Sequence, residues 1–207
     1  RDSVASRGLG DVYKRQDSLA QVGDDMGYSV LTYAASTKAN AMGPSVIDPR
    51  TGEILEADIV WWHNVQSLIS EWIKVQTGAQ NPQARRMRLP EQLIGDAVRF
   101  VACHEVGHSL GLRHNMIASN AYPTDSLRSA SFTARMGGTS ASIMDYARFN
   151  YVAQLGDGVK VMSPNIGPYD LMAIEWAYRW YPKGTNEKKE LNDFLKKHTG
   201  KLYKYME

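Results

Sequence analysis

Residues 28–35 (YSVLTYAA) alternate loosely between apolar and polar positions and are rich in aromatic and β-branched side chains, which predicts a strand. Gly43-Pro44 interrupts the chain. Ser45–Ile47 and residues 53–61 then flank DPRTG, a turn cluster containing Pro49 and Gly52, and predict a β-hairpin. Beyond it Val65, Leu68, Ile69, Trp72 and Ile73 recur at helical spacing, with Gly78 as a stop, so a helix is predicted over about residues 62–76. Residues 81–89 read as a basic connector. Pro90 suits the first turn of a second helix. Leu93, Ile94, Ala97, Val98 and Val101 give that helix an apolar stripe, and Gly111 permits the left-handed residue that ends it. Residues 115–142, rich in Ser, Ala, Thr and Gly, read as irregular. Residues 168–181 predict another helix, and the lysine-rich segment 187–198 an amphipathic one.

Composition narrows the class of protein rather than the fold. The chain has 207 residues, enough for one sizeable domain or two small lobes, with ordinary apolar and charged content. It has no apolar run long enough to span a bilayer. A net charge of +2 is too small to point to nucleic acid or an anionic membrane. Even that charge traces to residues 1–16, RDSVASRGLGDVYKRQ, which lack periodicity and resemble translated adapter sequence; without them the basic and acidic residues balance. We therefore expect residues 1–16 to be non-native and the natural chain to have been cut near Asp17. The single cysteine, Cys103, allows no internal disulfide and reads as a small buried residue.

The chemistry sits in one run, His104-Glu105-Val106-Gly107-His108-Ser109-Leu110-Gly111-Leu112-Arg113-His114. On a helix His104 and His108 lie one turn apart on one face, so two imidazoles can meet one ion. Glu105 stands beside them as a general base, able to reach a water at the metal without displacing it. Gly111 permits the bend that returns His114 as a third ligand. Three neutral imidazoles leave zinc one open position, the catalytic rather than the structural arrangement. Five fixed positions at roughly 5% usage each would match by chance about once in several million starts, so coincidence is set aside.

HExxHxxGxxH followed by a methionine turn resembles the metzincin signature. Ser142-Ile143-Met144-Asp145-Tyr146 follows, with Met144 thirty residues after His114. GPSVIDPRTGEILEADI, HEVGHSLGLRHNM and SIMDYARFNYVAQ further resemble the bacterial Met-zincin family of exported zinc-dependent proteases. The resemblance implies a metzincin-like α+β fold. Its upper catalytic subdomain, residues 17–114, would hold a twisted mixed sheet and the active-site helix, and would lack the N-terminal elements if cut near Asp17. Its lower subdomain, residues 115–207, would be mostly helical and irregular and would carry the Met-turn. Met144 would floor a zinc site, and Tyr146 would either ligate zinc or stabilise the oxyanion. The implied activity is hydrolysis of peptide bonds in a protein or peptide substrate, with Zn2+ as cofactor, no nucleic-acid partner, and export as part of a longer chain. An inactive zinc-binding interaction module and a zinc hydrolase of a non-protein substrate are the competing readings. The 45–61 hairpin is either an edge on which substrate lies or an internal hairpin. Asn115 departs from the residue that follows the third histidine in better-studied metzincins, and the helix between hairpin and active-site helix is a second departure.

Overall fold

The structure, a computed structural model, describes residues 28–207. The segment 1–16 and the cut expected near Asp17 lie outside the described residues. Five strands and five α-helices are present among the described residues: β1 (Leu31–Ala34), β2 (Ala41–Met42), β3 (Ser45–Ile47), β4 (Ile54–Ala57), β5 (Ile59–Trp62), α1 (Val65–Thr77), α2 (Glu91–Ser109), α3 (Ala130–Met136), α4 (Pro168–Tyr178) and α5 (Glu187–Lys197). The fold is α+β, as the family resemblance implies. The chain divides into two compact units. One takes the described residues up to Leu68 together with His104–Arg113; the other takes Ile69–Cys103 and His114–Glu207.

In the first unit β5 is the central strand of a small mixed sheet in the order β1-β5-β2. β1 runs parallel to it, with Leu31 opposite Ile59, and β2 antiparallel, with Ala41 opposite Trp61. Ile59 and Trp61 point to the buried face of β5 while Val60 and Trp62 are only half-buried, the period of two expected of a sheet with one covered face. The predicted hairpin forms, but only between β3 and β4. Its turn is closed by Gly52 N–H donating to Asp48 O at 2.8 Å and Asp48 N–H donating to Glu53 O at 2.9 Å, with Gly52 in the left-handed region at φ +75°. The second arm was expected to continue to Trp61; instead it breaks at Asp58. There the Asp58 N–H donates to Pro44 O at 3.1 Å and the carboxylate accepts the Val30 N–H at 2.8 Å, which hands the chain from one sheet to the other. The strand β2 was not foreseen: two residues are too short to show a period.

In the second unit Ile69 and Ile73 of α1 are fully buried one turn apart. α2 begins after Pro90 as predicted. Its buried hydrophobic positions are Ala97 and Phe100, with Phe100 edge-on to Phe149 at 6.3 Å. The i, i+3, i+7 series from Ala97 through Phe100 to His104 therefore carries the helix's covered face into the histidine motif. Residues 115–142 are not wholly irregular. Short 3-10 turns occupy Ala118–Ala121 and Thr124–Arg128, and α3 is a helix with Ser129 accepting the Phe132 N–H at its start and Gly137 in the left-handed conformation, φ +73°, at its end. Tyr122, Ala118, Ala121 and Ala141 form a small core against Leu127, Phe132, Met136 and Leu202. α4 stops at Tyr178, three residues short of the predicted end. α5 buries Phe194 and leaves its lysines exposed, the amphipathic pattern expected.

Candidate metal and catalytic site

Helix α2 ends in the middle of the histidine motif, and the way it ends places the third histidine. The Leu112 N–H donates to Gly107 O at 2.9 Å and the Gly111 N–H to His108 O at 2.9 Å, the paired bonds of a Schellman cap, with Gly111 at φ +83°. A side chain at 111 would hold that left-handed conformation only under strain. The chain then turns back, and one ring nitrogen from each of His104, His108 and His114 lies within 4.8 Å of the other two. His104 and His108 face each other edge-on with ring centroids 4.8 Å apart.

The donor set suits zinc. Three imidazole nitrogens within 4.8 Å of one another are close enough to converge on one ion, and nitrogen donors of this kind are ordinary zinc ligands. The tautomer of His108 is prepared as well. Its Nδ1 lies 2.9 Å from Leu112 O, a group that only accepts, so Nδ1 carries the proton and Nε2 presents its lone pair. No other group of three or more His, Cys, Asp or Glu side chains among the described residues is close enough to hold an ion.

Glu105 is 8% exposed. Burial pushes its carboxyl above the usual carboxylate range, against the opposing pull of His108 and of the Gly43 backbone N–H. Gly43 approaches the helix so closely that a β-carbon there would stand 2.7 Å from Glu105 O and 3.4 Å from His108 Cβ. Only glycine fits at the end of β2. Glycine-proline reads in the sequence as a chain break; its role as the contact point with α2 does not show there.

The Met-turn is built around a carboxylate that sequence reading overlooked. Asp170, in the first turn of α4, is 3% exposed. Its oxygens accept the Ser142 hydroxyl at 2.5 Å, the Ile143 N–H at 2.7 Å and the Gly167 N–H at 2.8 Å. Ser142 Oγ in turn accepts the Met144 N–H at 3.0 Å. Met144 is completely buried. Burial raises the Asp170 carboxyl above its ordinary value despite these donors. The clue was available: Pro168 at the first helical position and Asp170 two residues later are a helix-start signature. Asp145, also buried, accepts the Ser119 N–H at 2.6 Å and is likewise raised by burial.

Tyr146 is half-exposed, and its hydroxyl lies 3.1 Å from His114 Nε2. The Arg148 guanidinium stands 5.4 Å from the Tyr146 ring and 4.2 Å from that of Trp72. Cys103 is partly buried, and burial raises its thiol. His63 pairs with the Tyr33 hydroxyl, and His198 Nδ1 lies 2.9 Å from Phe194 O. None of these three joins the cluster.

An α+β chain with three clustered histidines and a buried glutamate on the same helix turn falls in the class of zinc-metallopeptidase-like proteins. Residues 86–207, more than half of the chain, match the Met-zincin family, and the chain belongs to it. The match takes in α2, the histidine motif and the Met-turn; the five strands lie before it. No curated protein and no solved structure matches the chain.

Proposed function

We propose that this protein is a zinc-dependent endopeptidase in which His104, His108 and His114 hold the metal, Glu105 is the general base, and Tyr146 assists at the carbonyl oxygen. The observation that carries this reading is the convergence of three imidazoles within 4.8 Å with Glu105 buried on the same turn of helix. When bound, zinc supplies Lewis acidity, which makes water a better nucleophile near neutral pH and polarises a carbonyl. Glu105 accepts the proton of the attacking water and returns it to the departing amine. Its burial favours this shuttle, because a raised carboxyl is a better proton acceptor than an ordinary surface glutamate. Met144 offers the ligands an apolar floor with no donor of its own. The Tyr146 hydroxyl lies 3.1 Å from His114 Nε2, and in this reading it donates a hydrogen bond to negative charge developing on the substrate oxygen.

Cleavage of a broad fluorogenic peptide library tests this. Hydrolysis abolished by a chelator and restored by zinc is expected. A folded protein that holds one zinc and cleaves no peptide would contradict the endopeptidase reading and leave either an inactive module or a hydrolase of another substrate.

A further inference from the structure

Resting on the zinc reading above, we propose that Asn115 is a positioning residue that ties the third ligand to the strap of residues 201–206, so that the strap is a working part of the metal site.

Asn115 follows His114 directly and is completely buried. Its backbone N–H donates to Met144 O at 3.0 Å. Its side-chain Nδ2 donates to Lys204 O at 2.9 Å, and its Oδ1 accepts the Met206 N–H at 3.1 Å. The next residue completes the seam: the Met116 N–H donates to Met206 O at 2.8 Å. One side chain thus satisfies a carbonyl and an N–H of a segment ninety residues away, while its own backbone holds the methionine of the Met-turn. The amide is the one neutral side chain that offers donor and acceptor at this length. A carboxylate would face the Lys204 carbonyl with a second acceptor, and an aliphatic side chain would leave both backbone groups without a partner.

The strap is seated along its length. It opens with a 3-10 turn, Lys201–Tyr203. Leu202 packs on the core of Ala118, Ala121, Tyr122 and Ala141. Tyr205 stacks on Tyr169 of α4 at 6.2 Å and 18° between planes. Asn115 is therefore held between two fixed bodies, the strap and the Met-turn, and the Cα of His114 is held with it. Groups that orient a ligand from behind typically change metal affinity about 10–100-fold when removed.

The test is zinc release to a chromophoric chelator from the full chain, with the melting temperature of the zinc-free protein measured alongside. Asn115→Leu removes both side-chain bonds. Met206→Pro removes the N–H that Asn115 accepts while leaving the Asn115 side chain and its bond to Lys204 O in place, at a half-exposed position. We expect zinc to leave Met206→Pro roughly 10-fold faster than wild type, and Asn115→Leu up to about 100-fold faster. The cobalt-substituted proteins should show altered visible bands, and zinc-free Met206→Pro should melt near wild type. Release at the wild-type rate from both variants, or from Met206→Pro when Asn115→Leu does not fold, would overturn the proposal. So would faster release explained wholly by a lowered melting temperature of the zinc-free chain with an unchanged cobalt spectrum. Failure of the wild type to hold zinc at all would instead overturn the zinc reading on which the proposal stands.

Discussion

Replacing Asp170 by alanine strikes a side chain that holds the Met-turn to α4. The carboxylate is 3% exposed and accepts three hydrogen bonds, from the Ser142 hydroxyl and the Ile143 and Gly167 N–H groups. The serine can rotate to another partner, but the two backbone donors cannot. Leaving each buried and unpaired costs about 1–3 kcal/mol, and the emptied space adds to this, so the loss is roughly 3–6 kcal/mol. Set against a typical total of about 5–15 kcal/mol, that leaves the fold marginal. Asp170→Asn keeps an acceptor oxygen and the shape and should cost about 1–2 kcal/mol. Urea denaturation of the zinc-free proteins, compared at constant slope, measures both. A further signature follows from titration. Burial raises Asp170 in the folded state, so the native protein holds that proton more tightly than the unfolded chain. Its contribution to stability is full below the ordinary carboxylate value and is lost as pH rises through the folded value. Asp170→Asn should abolish that part of the slope. A loss below about 1 kcal/mol in Asp170→Ala, or equal losses in the two variants, would refute the argument that unpaired backbone donors dominate.

Gly43→Ala would set a β-carbon 2.7 Å from Glu105 O, a backbone atom that cannot step aside. We expect a loss of about 1–3 kcal/mol by thermal or urea unfolding, together with reduced peptidase activity as β2 and Glu105 separate. The Arg128 guanidinium holds Asp157 down at about 2, so this pair's support is present above the ordinary carboxylate value of 3.8 and is lost as pH falls through about 2. Asp157→Asn should therefore melt lower than wild type at neutral pH and converge with it in strong acid, as followed by circular dichroism. Tyr146→Phe should lower kcat by about 100-fold with little change in KM if its hydroxyl acts on developing charge; an unchanged kcat would remove Tyr146 from the mechanism.

The parts of this protein visible in its sequence are those where local rules and tertiary structure agree. The histidine motif is legible because helix periodicity, the Gly111 cap and the spacing of the three histidines all fall within eleven residues. The amphipathic helices α1, α2 and α5 are legible for the same local reason. What escaped notice depends on partners far along the chain. Asp170 reads as a helix-start residue until Ile143 and Ser142 are found on it, and Asn115 reads as a mere departure from pattern until Lys204 and Met206 close on its side chain. Gly43 reads as a turn until α2 is packed against it. The break in the second arm of the hairpin does not show in the sequence because Asp58, a polar residue between two apolar runs, looks like ordinary alternation; its bond to Val30 makes it the corner between two sheets. α3 sits in a run of small polar residues that masks its periodicity, although Ser129 and Gly137 mark its two ends.

The central claim, that Glu105 performs proton transfer at a zinc held by three histidines, is tested most directly by zinc content and peptide cleavage measured on the same preparations of wild type and Glu105→Gln. The account predicts one zinc per chain in both proteins, with cleavage in the wild type and a loss of at least about 100-fold in the variant, the scale of a general base. Equal cleavage by the two proteins, or cleavage by wild type stripped of zinc, would contradict it.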